Sequence, residues 1–273
     1  MKHLMKLTPV PYEAIGNGTK TIELRLNDEK RQKLSEGDTV FFLHTQEERF
    51  LDCTVGKLYF FASFRELYGS LDLRACGYRA EQTARPEDMR AYYTEDEEKR
   101  CGVVGIELRN VREVAFEATN DVASLSALAT RLLKAYYDDI IGAEQNDYML
   151  KKFQSVEGIR EQLAHGYRYF FVTVNGERKG FFAYCERGNE LYLSKFYFDA
   201  SIRGKGYGNR VVDFLKREGV RLHKETLTLN VNKYNPTVAV YENMGFVRLR
   251  AEVNDIGEGY VMDDFVYGMN LCE

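Results

Sequence analysis

Three glycines at alternate positions, with basic residues between them, constrain the fold of this chain more than any other feature. The stretch RGKGYG, residues 203–208, lies between a strand-like run, KFYF, and a helix-like run, NRVVDFL. Residues without a Cβ atom let a ligand approach the backbone closely. The first turn of a following helix directs N–H groups at that ligand, and the helix dipole favours negative charge there. With Arg203 and Lys205 beside it, the loop predicts a diphosphate site; a flexible surface turn is the open alternative.

The spacing of the glycines excludes two common phosphate-binding motifs. A Walker A loop requires Lys-Ser or Lys-Thr after the glycines, and a dinucleotide fingerprint requires G-x-G-x-x-G, whereas this chain has G-x-G-x-G. The downstream sequence supports a binding site. A strand pattern, LTLNV, leads to Asn235 and Pro236, which are typical of the N-cap and the first position of a helix, and the helix pattern ends at Gly245.

The order of strand, glycine loop, helix, strand and the pattern N…YE-x-x-GF resembles the GCN5-related N-acetyltransferases, the GNAT family, over about residues 118–271. The resemblance implies acetyl-CoA as cofactor and an amine acceptor, either a small molecule, polyamine-like, or linked to a protein or RNA. It implies that the backbone of Phe196 and Phe198 pairs with the pantetheine arm and that Asn235 contacts the same arm, although the segment from Asn235 to Tyr241 is one residue shorter than in many relatives. The residues implied for the pyrophosphate are Arg203, Gly204, Lys205, Gly206, Tyr207 and Gly208.

The same resemblance implies a general acid but leaves the general base open. Tyr241 lies where the family places the acid for the departing thiolate; a packing tyrosine is its other interpretation. Relatives often carry a glutamate on the strand before the loop, where this chain has Tyr192. Glu190, two residues earlier on the same strand face, is a candidate base. A base acting through water, or an amine that arrives neutral, fits equally well.

The first part of the chain resembles a second family. The stretch GTKTIELRLNDEKRQKLSEGDTVFF, residues 18–42, resembles the ASCH domain, a relative of PUA β-barrels, over about residues 4–112. The resemblance implies a cleft for RNA or a nucleotide, with Lys20, Glu23 and Arg25 as candidate lining residues; an exposed polar strand face is the alternative. Some small ASCH proteins hydrolyse acetylated cytidine with a Lys and a Thr three residues later. Glu23 occupies that second position here, so we do not transfer this activity.

Length and composition fit two globular domains. The 273 residues, 44% of them hydrophobic, are enough for two cores, and the two resemblances imply an α+β chain. The predicted parts are a PUA-like β-barrel at residues 1–114 and a GNAT-type mixed β-sheet flanked by helices at residues 115–273. The net charge of −4 gives no overall attraction to nucleic acid or anionic membranes. The sequence contains no apolar run of roughly 18 residues, the length that spans a membrane, so no membrane association is expected.

The reactive side chains favour a cytoplasmic protein without a metal. The five cysteines include no CxxC pair, and the four histidines are scattered, so we expect free thiols in a reducing compartment and no metal site. The segments flanking the predicted core are acidic, which would suit a cationic amine such as a polyamine, but a solvated acidic surface is equally compatible; they contain Asp138, Asp139, Glu144, Asp147, Asp255, Glu258, Asp263 and Asp264.

The preferred function is therefore an acetyl-CoA-dependent N-acetyltransferase in which a bound amine attacks the thioester directly. The alternative is an ASCH protein that binds RNA or a nucleotide, with a GNAT domain that is accessory or acts on an RNA-associated target. The sequence leaves the oligomeric state undetermined.

Overall fold

A computed structural model describes residues 1–271, and the contacts within it divide the chain into two compact units. The first unit comprises residues 1–115 and 174–176, and the second comprises the remaining residues. Both units mix α-helices and β-strands. A domain boundary between residues 114 and 115 stays a prediction.

The first unit contains five strands and three short helices. These elements are β1 (Lys2–Leu7), α1 (Pro9–Gly16), β2 (Ile22–Leu26), β3 (Thr39–His44), β4 (Arg49–Phe61), α2 (Phe64–Ser70), α3 (Glu95–Cys101) and β5 (Val103–Thr119), whose last residues belong to the second unit. The strands follow the order β1-β3-β4-β5, and β2 also pairs with β5. Only the β1–β3 pair is parallel among the pairings in this unit. The closure of these five strands into a β-barrel stays a prediction.

A π-helical turn at Leu150–Gln154 and a short 3₁₀ helix at Ala200–Ile202 belong to the second unit. The described part of this unit also contains six further strands and five α-helices. They are α4 (Val122–Ile141), α5 (Ala143–Met149), α6 (Val156–Ala164), β6 (Arg168–Val174), β7 (Glu177–Arg187), β8 (Glu190–Phe198), α7 (Tyr207–Arg221), β9 (Thr226–Asn232), α8 (Val238–Asn243), β10 (Val247–Gly257) and β11 (Tyr260–Asn270). The strand order is β6-β7-β8-β9-β11-β10. The β8–β9 pair is parallel, whereas β7–β8, β9–β11 and β10–β11 are antiparallel. The predicted mixed sheet is confirmed.

Helices cover both faces of this sheet because side chains alternate along its strands. Phe181 of β7 is fully buried in the cluster that α4 forms with the sheet through Leu125, Leu128 and Leu132. The next residue, Phe182, points to the opposite face, where its ring lies 5.6 Å from that of Phe214 on α7. The alternating apolar pattern of β7 thus gives the sheet two packed faces.

Several local signals in the sequence specify the ends of these elements. Asp121 and Ser155 cap α4 and α6, and each side chain accepts a hydrogen bond from the backbone N–H three residues later. Asn175 and Gly176 both have positive φ angles in the turn between β6 and β7, as an Asn-Gly hairpin turn requires. The N-cap predicted at Asn235 is wrong, because α8 begins at Val238 and its N-cap is Thr237.

Among the helices that the structure describes, none is both long and apolar enough to cross a membrane.

Shortening a core leucine of α4 should destabilise the second unit. Leu125 is 0% exposed within the cluster against β7, so Leu125→Ala removes buried methyl groups and leaves a cavity. We expect the free energy of unfolding to fall by about 2–5 kcal/mol. Chemical denaturation followed by circular dichroism measures this change. The matched control is Leu249→Ala on β10, where the leucine is 50% exposed; equal losses in the two variants would contradict the assigned core.

Candidate active site

The two parallel strands in the middle of the second unit separate after a short paired stretch. Residues 190–193 of β8 pair with residues 226–229 of β9, although β8 continues to Phe198 and β9 to Asn232. A bulge in the pairing of β8 with β7 lies at the same point, between Leu193 and Lys195. Beyond the bulge, β8 keeps β7 as a neighbour but has lost β9. Since backbone N–H and C=O groups require partners, this strand edge can accept an extended ligand.

A cavity of about 850 Å³ lies where the strands separate. It is lined by residues 193–197 of β8, by residues 229–232 of β9 and by Tyr241 of α8, all within the second unit. Tyrosines and asparagines line much of it, so that an apolar ligand surface and a few directed polar groups can be bound together. Within residues 1–271, no group of three or more His, Cys, Asp or Glu side chains is placed to hold a metal ion.

The glycine loop leads into α7, as the sequence predicts. Gly204 and Gly206 have φ angles of +72° and +95°, a left-handed conformation that glycine adopts without strain. Gly206 is the N-cap of α7 and has no side chain to cap the helix, so the positive end of the helix dipole is open to an anion. Gly208 has a different role. A Cβ atom there would lie 2.7 Å from Met244 and 3.4 Å from Phe196, so its absence permits close packing.

The two basic residues of the loop have different surroundings. The Nε atom of Arg203 donates to the backbone oxygen of Phe198 at 2.9 Å, and its guanidinium lies 4.6 Å from the ring centroid of Tyr136. Arg203 therefore fastens the loop to the end of β8. Lys205, by contrast, makes no ion pair or hydrogen bond with any of residues 1–271. Its ammonium group can turn towards an anion at the loop.

Tyr241, the predicted general acid, lies on α8 and lines the cavity. Its ring packs against Phe196 at 6.3 Å and Phe246 at 6.1 Å. Burial raises the pKa of Tyr241 above its usual range, and the nearby Tyr136 acts in the same direction. The phenol is therefore protonated at neutral pH, which is the form that can donate a proton. Phe196 and Phe198 also contact each other, at 5.1 Å, so both predicted pantetheine contacts lie on the open part of β8.

Asn235 is buried and its carboxamide is occupied by protein groups. The side-chain oxygen accepts from the hydroxyl of Tyr136 at 3.0 Å and from the backbone N–H of Thr237 at 2.9 Å. The side-chain nitrogen donates to the hydroxyl of Tyr137 at 3.1 Å. Asn235 therefore joins α4 to the start of α8. A contact between Asn235 and a CoA arm stays a prediction.

The two positions considered for the base differ in their access to the cavity. Tyr192 lines it, whereas Glu190 is not among the lining residues. The Oε2 atom of Glu190 accepts a hydrogen bond from Thr228 at 3.0 Å, at the paired end of the two strands. Glu190 is thus engaged away from the point where β8 and β9 separate.

Asp264 is a carboxylic acid in the cavity; from the sequence alone it is named only among the acidic flanking residues that would suit a cationic amine. It lies on β11, is 3% exposed, and lines the cavity. Burial raises the pKa of Asp264 to about 6, and the neighbouring Asp263 and Glu252 add to the increase. The sequence contains a signal for it: Asp264 and Val266 occupy alternate positions of a strand, and both are buried. A polar residue on a buried strand face is a candidate for function.

Lys20, Glu23 and Arg25, the cleft residues predicted for the first unit, form one ion network. Lys20 and Arg25 contact the carboxylate of Glu23 at 3.2 Å and 2.8 Å. The side chains of Lys20, Glu23 and Arg25 are only 11%, 6% and 15% exposed, respectively. The Nζ atom of Lys20 also donates to the backbone oxygen of Cys76 at 2.9 Å. The structure therefore brings all three together, largely engaged with protein atoms.

Comparison with solved structures finds several similar chains. The hypothetical protein PH0355 is 30% identical, with a TM-score of 0.35 over 40% of this chain and 98% of its own. A GCN5-related N-acetyltransferase from Rhodopseudomonas palustris is 15% identical, with a TM-score of 0.49 over 57% of this chain and 94% of its own. The PaiA N-acetyltransferase from Thermoplasma acidophilum, solved in complex with coenzyme A, is 16% identical, with a TM-score of 0.45 over 58% and 98%. No protein of curated function matches significantly.

Family models match both parts of the sequence. The model of the ASCH domain matches residues 5–112, and the model of the acetyltransferase (GNAT) domain matches residues 137–261. The second match includes the separated strands, the glycine loop and Tyr241. The chain thus carries an ASCH domain followed by an acetyltransferase domain of the GNAT family, which makes it an enzyme of the acyltransferase class.

Proposed function

We propose that the chain transfers the acetyl group of acetyl-CoA to a primary amine by direct attack. The observation that carries this proposal is the separation of β8 from β9, which opens a strand edge onto a cavity that also contains Tyr241 and Asp264. One ligand can therefore reach an unpaired backbone edge, a phenol and a buried carboxyl group at the same time. The acyl donor, when bound, supplies an activated thioester.

The donor site uses backbone groups more than side chains. Residues 194–198 offer the pantetheine arm a strand edge, and the backbone of residues 204–208 holds the diphosphate at the start of α7. Lys205 adds a cation that has no other partner in the described chain. Arg203 acts indirectly, since its hydrogen bond to Phe198 keeps the loop next to the strand. Backbone N–H groups of the open edge polarise the carbonyl that is attacked.

Two side chains of the cavity take the proton-transfer roles. Tyr241 holds a proton on its hydroxyl and donates it to the departing thiolate, while its contact with Phe196 fixes the ring beside the open edge. Asp264 accepts the proton of the attacking amine, because a carboxylate with a pKa of about 6 is ionised at neutral pH and is more basic than an ordinary aspartate. Glu190 stays a candidate for the same role.

In the ASCH domain, the strand β2 stays the proposed place for an RNA or nucleotide ligand. The buried network of Lys20, Glu23 and Arg25 supports this only in part, because both cations already contact the carboxylate of Glu23.

Adding a side chain at the N-cap of α7 should weaken donor binding. In Gly206→Val the new side chain occupies the space that the diphosphate would approach. We expect the affinity for acetyl-CoA to fall by more than tenfold, about 1.4 kcal/mol, in isothermal titration calorimetry. Gly259→Val is the matched control, because Gly259 also has a positive φ, +80°, with nothing within 4 Å of an added Cβ. Wild-type affinity in Gly206→Val, or an equal loss in the control, would contradict the backbone cradle.

Removing only the hydroxyl of Tyr241 should lower turnover without changing donor affinity. Tyr241→Phe keeps the ring and its contacts with Phe196 and Phe246. We expect kcat to fall by roughly 10²–10⁴, the usual contribution of a positioned acid. The assay is thiol release under conditions where chemistry limits kcat. A loss confined to KM would show that the hydroxyl only helps to bind substrate, and a wild-type rate would assign the proton to water.

Replacing Asp264 should remove a step from the pH profile. In the wild-type enzyme kcat/KM should rise with pH through about 6, as Asp264 loses its proton. Asp264→Asn should be slower at neutral pH and lack this inflection. Burial raises the pKa of Asp264 in the folded state, so the free energy of unfolding of the wild-type chain falls as pH rises through about 6. Asp264→Asn lacks this loss. The stability of the variant, measured as its difference from the wild-type chain, should therefore be greater at pH 8 than at pH 4.

Glu190→Gln is the matched control for this variant. If Glu190→Gln loses the inflection and Asp264→Asn retains it, the base is Glu190.

A further inference from the structure

The cavity carries charges of opposite sign in different places. Asp264 and Glu252 lie on the neighbouring strands β11 and β10, and the pKa of Asp264 responds to Glu252. Arg187 of β7 and Lys195 of β8 also line the cavity. Tyr192 also lines the cavity, and its pKa responds to both Arg187 and Asp264.

Lys195 lies on the strand beyond the bulge, on the cavity side. It stands opposite Ala183 of β7. Its Nζ atom donates to the Oγ atom of Ser194 at 3.1 Å. Burial lowers the pKa of Lys195 to about 8, and the ionisable neighbours that influence it are the thiol of Cys185 and the guanidinium of Arg187. Among residues 1–271, no carboxylate forms an ion pair with Lys195.

Arg187 is held beside Lys195 by aromatic groups. Its guanidinium lies 3.4 Å from the ring centroid of Tyr192, and its Nη2 atom donates to the hydroxyl of Tyr167 at 3.5 Å. No described carboxylate pairs with Arg187 either. Glu190 stands opposite Arg187 in the pairing of β7 with β8, and Glu161 of α6 lines the cavity, but neither carboxylate forms an ion pair with Arg187 or Lys195. Arg187 is exposed, whereas Lys195 is half-buried. A half-buried ammonium without a counter-charge is unfavourable, and an anion would relieve this cost.

We propose that Arg187 and Lys195 bind an anionic group, a carboxylate or a phosphate, of the acetyl acceptor. This proposal rests on the proposed function and specifies its substrate class: an amphoteric amine, with its amino group towards Asp264 and its anionic group towards the two cations. The planar guanidinium suits bidentate pairing with either anion, and the ammonium adds a point charge. A polyamine, which carries only positive charge, would place a cation against Arg187 and Lys195.

A pair of matched labels tests the anion site without any turnover. Pyridoxal 5′-phosphate and pyridoxal both form Schiff bases with a neutral lysine amine, and they differ in the phosphate alone. The full chain is treated with each, reduced with borohydride and mapped by peptide mass spectrometry. For each lysine, the amount of labelling by pyridoxal 5′-phosphate is divided by the amount of labelling by pyridoxal. We expect this ratio to be at least tenfold higher at Lys195 than at Lys216, an exposed lysine of α7.

Two further measurements attribute that preference to the proposed groups. Inorganic phosphate should protect Lys195, and Arg187→Met should abolish the higher ratio at Lys195. Lys216→Met serves as the control variant and should leave the ratio at Lys195 unchanged. Equal ratios at Lys195 and Lys216 in the wild-type chain would overturn the anion site.

An acceptor panel then separates this proposal from the proposed function. Thiol release from acetyl-CoA is compared for butylamine, 1,4-diaminobutane, 4-aminobutanoate and O-phosphoethanolamine. We expect at least one of the two amines that carry an anionic group to exceed butylamine and 1,4-diaminobutane tenfold in kcat/KM, and the better of these two amines identifies carboxylate or phosphate. Turnover that favours the diamine would overturn the amphoteric acceptor but keep the acetyltransferase. Absence of acetyl-CoA binding in calorimetry would instead overturn the proposed function.

Discussion

The whole candidate site depends on how far two parallel strands stay paired. β9 pairs with β8 over four residues, while β7 pairs with β8 from one end to the other, from Glu190 to Phe198. The strand therefore remains rigidly held on one side and becomes open on the other. A cavity, an unpaired backbone edge and a defined position for Tyr241 all follow from this difference. An additional pair of hydrogen bonds between β8 and β9 would close the site without changing any side chain.

Burial acts on the two charged ends of the cavity in opposite directions. It raises the pKa of Asp264 to about 6 and lowers the pKa of Lys195 to about 8, because a low-dielectric surrounding disfavours the charged form of either group. Both groups thus lie close to a change of protonation state near neutral pH. Such groups reduce the stability of the fold, and proteins retain them where they serve a ligand or a reaction.

Local features of the site could be predicted from the sequence, and the features that depend on distant contacts could not. The glycine loop and α7 are specified by neighbouring residues, because glycines at positions of positive φ and the start of a helix can be recognised from a few consecutive residues. The mixed sheet of the second unit and the choice of Tyr241, which lines the cavity, are reached through the resemblance to the GNAT family. The partners of Asn235 lie 98 and 99 residues away. The roles of Lys195 and Asp264 depend on which strands lie next to each other in the sheet. That order cannot be read from the sequence of any single strand.

The bonds of Asn235 connect the catalytic geometry to a distant helix. Its carboxamide holds Tyr136 and Tyr137 of α4 on one side and the backbone at Thr237 on the other, and Tyr241 follows one helical turn later. A change in α4 that moved Tyr136 or Tyr137 would therefore be transmitted through a single amide group to the start of α8. It would reach Tyr241 in a cavity that Tyr137 itself lines.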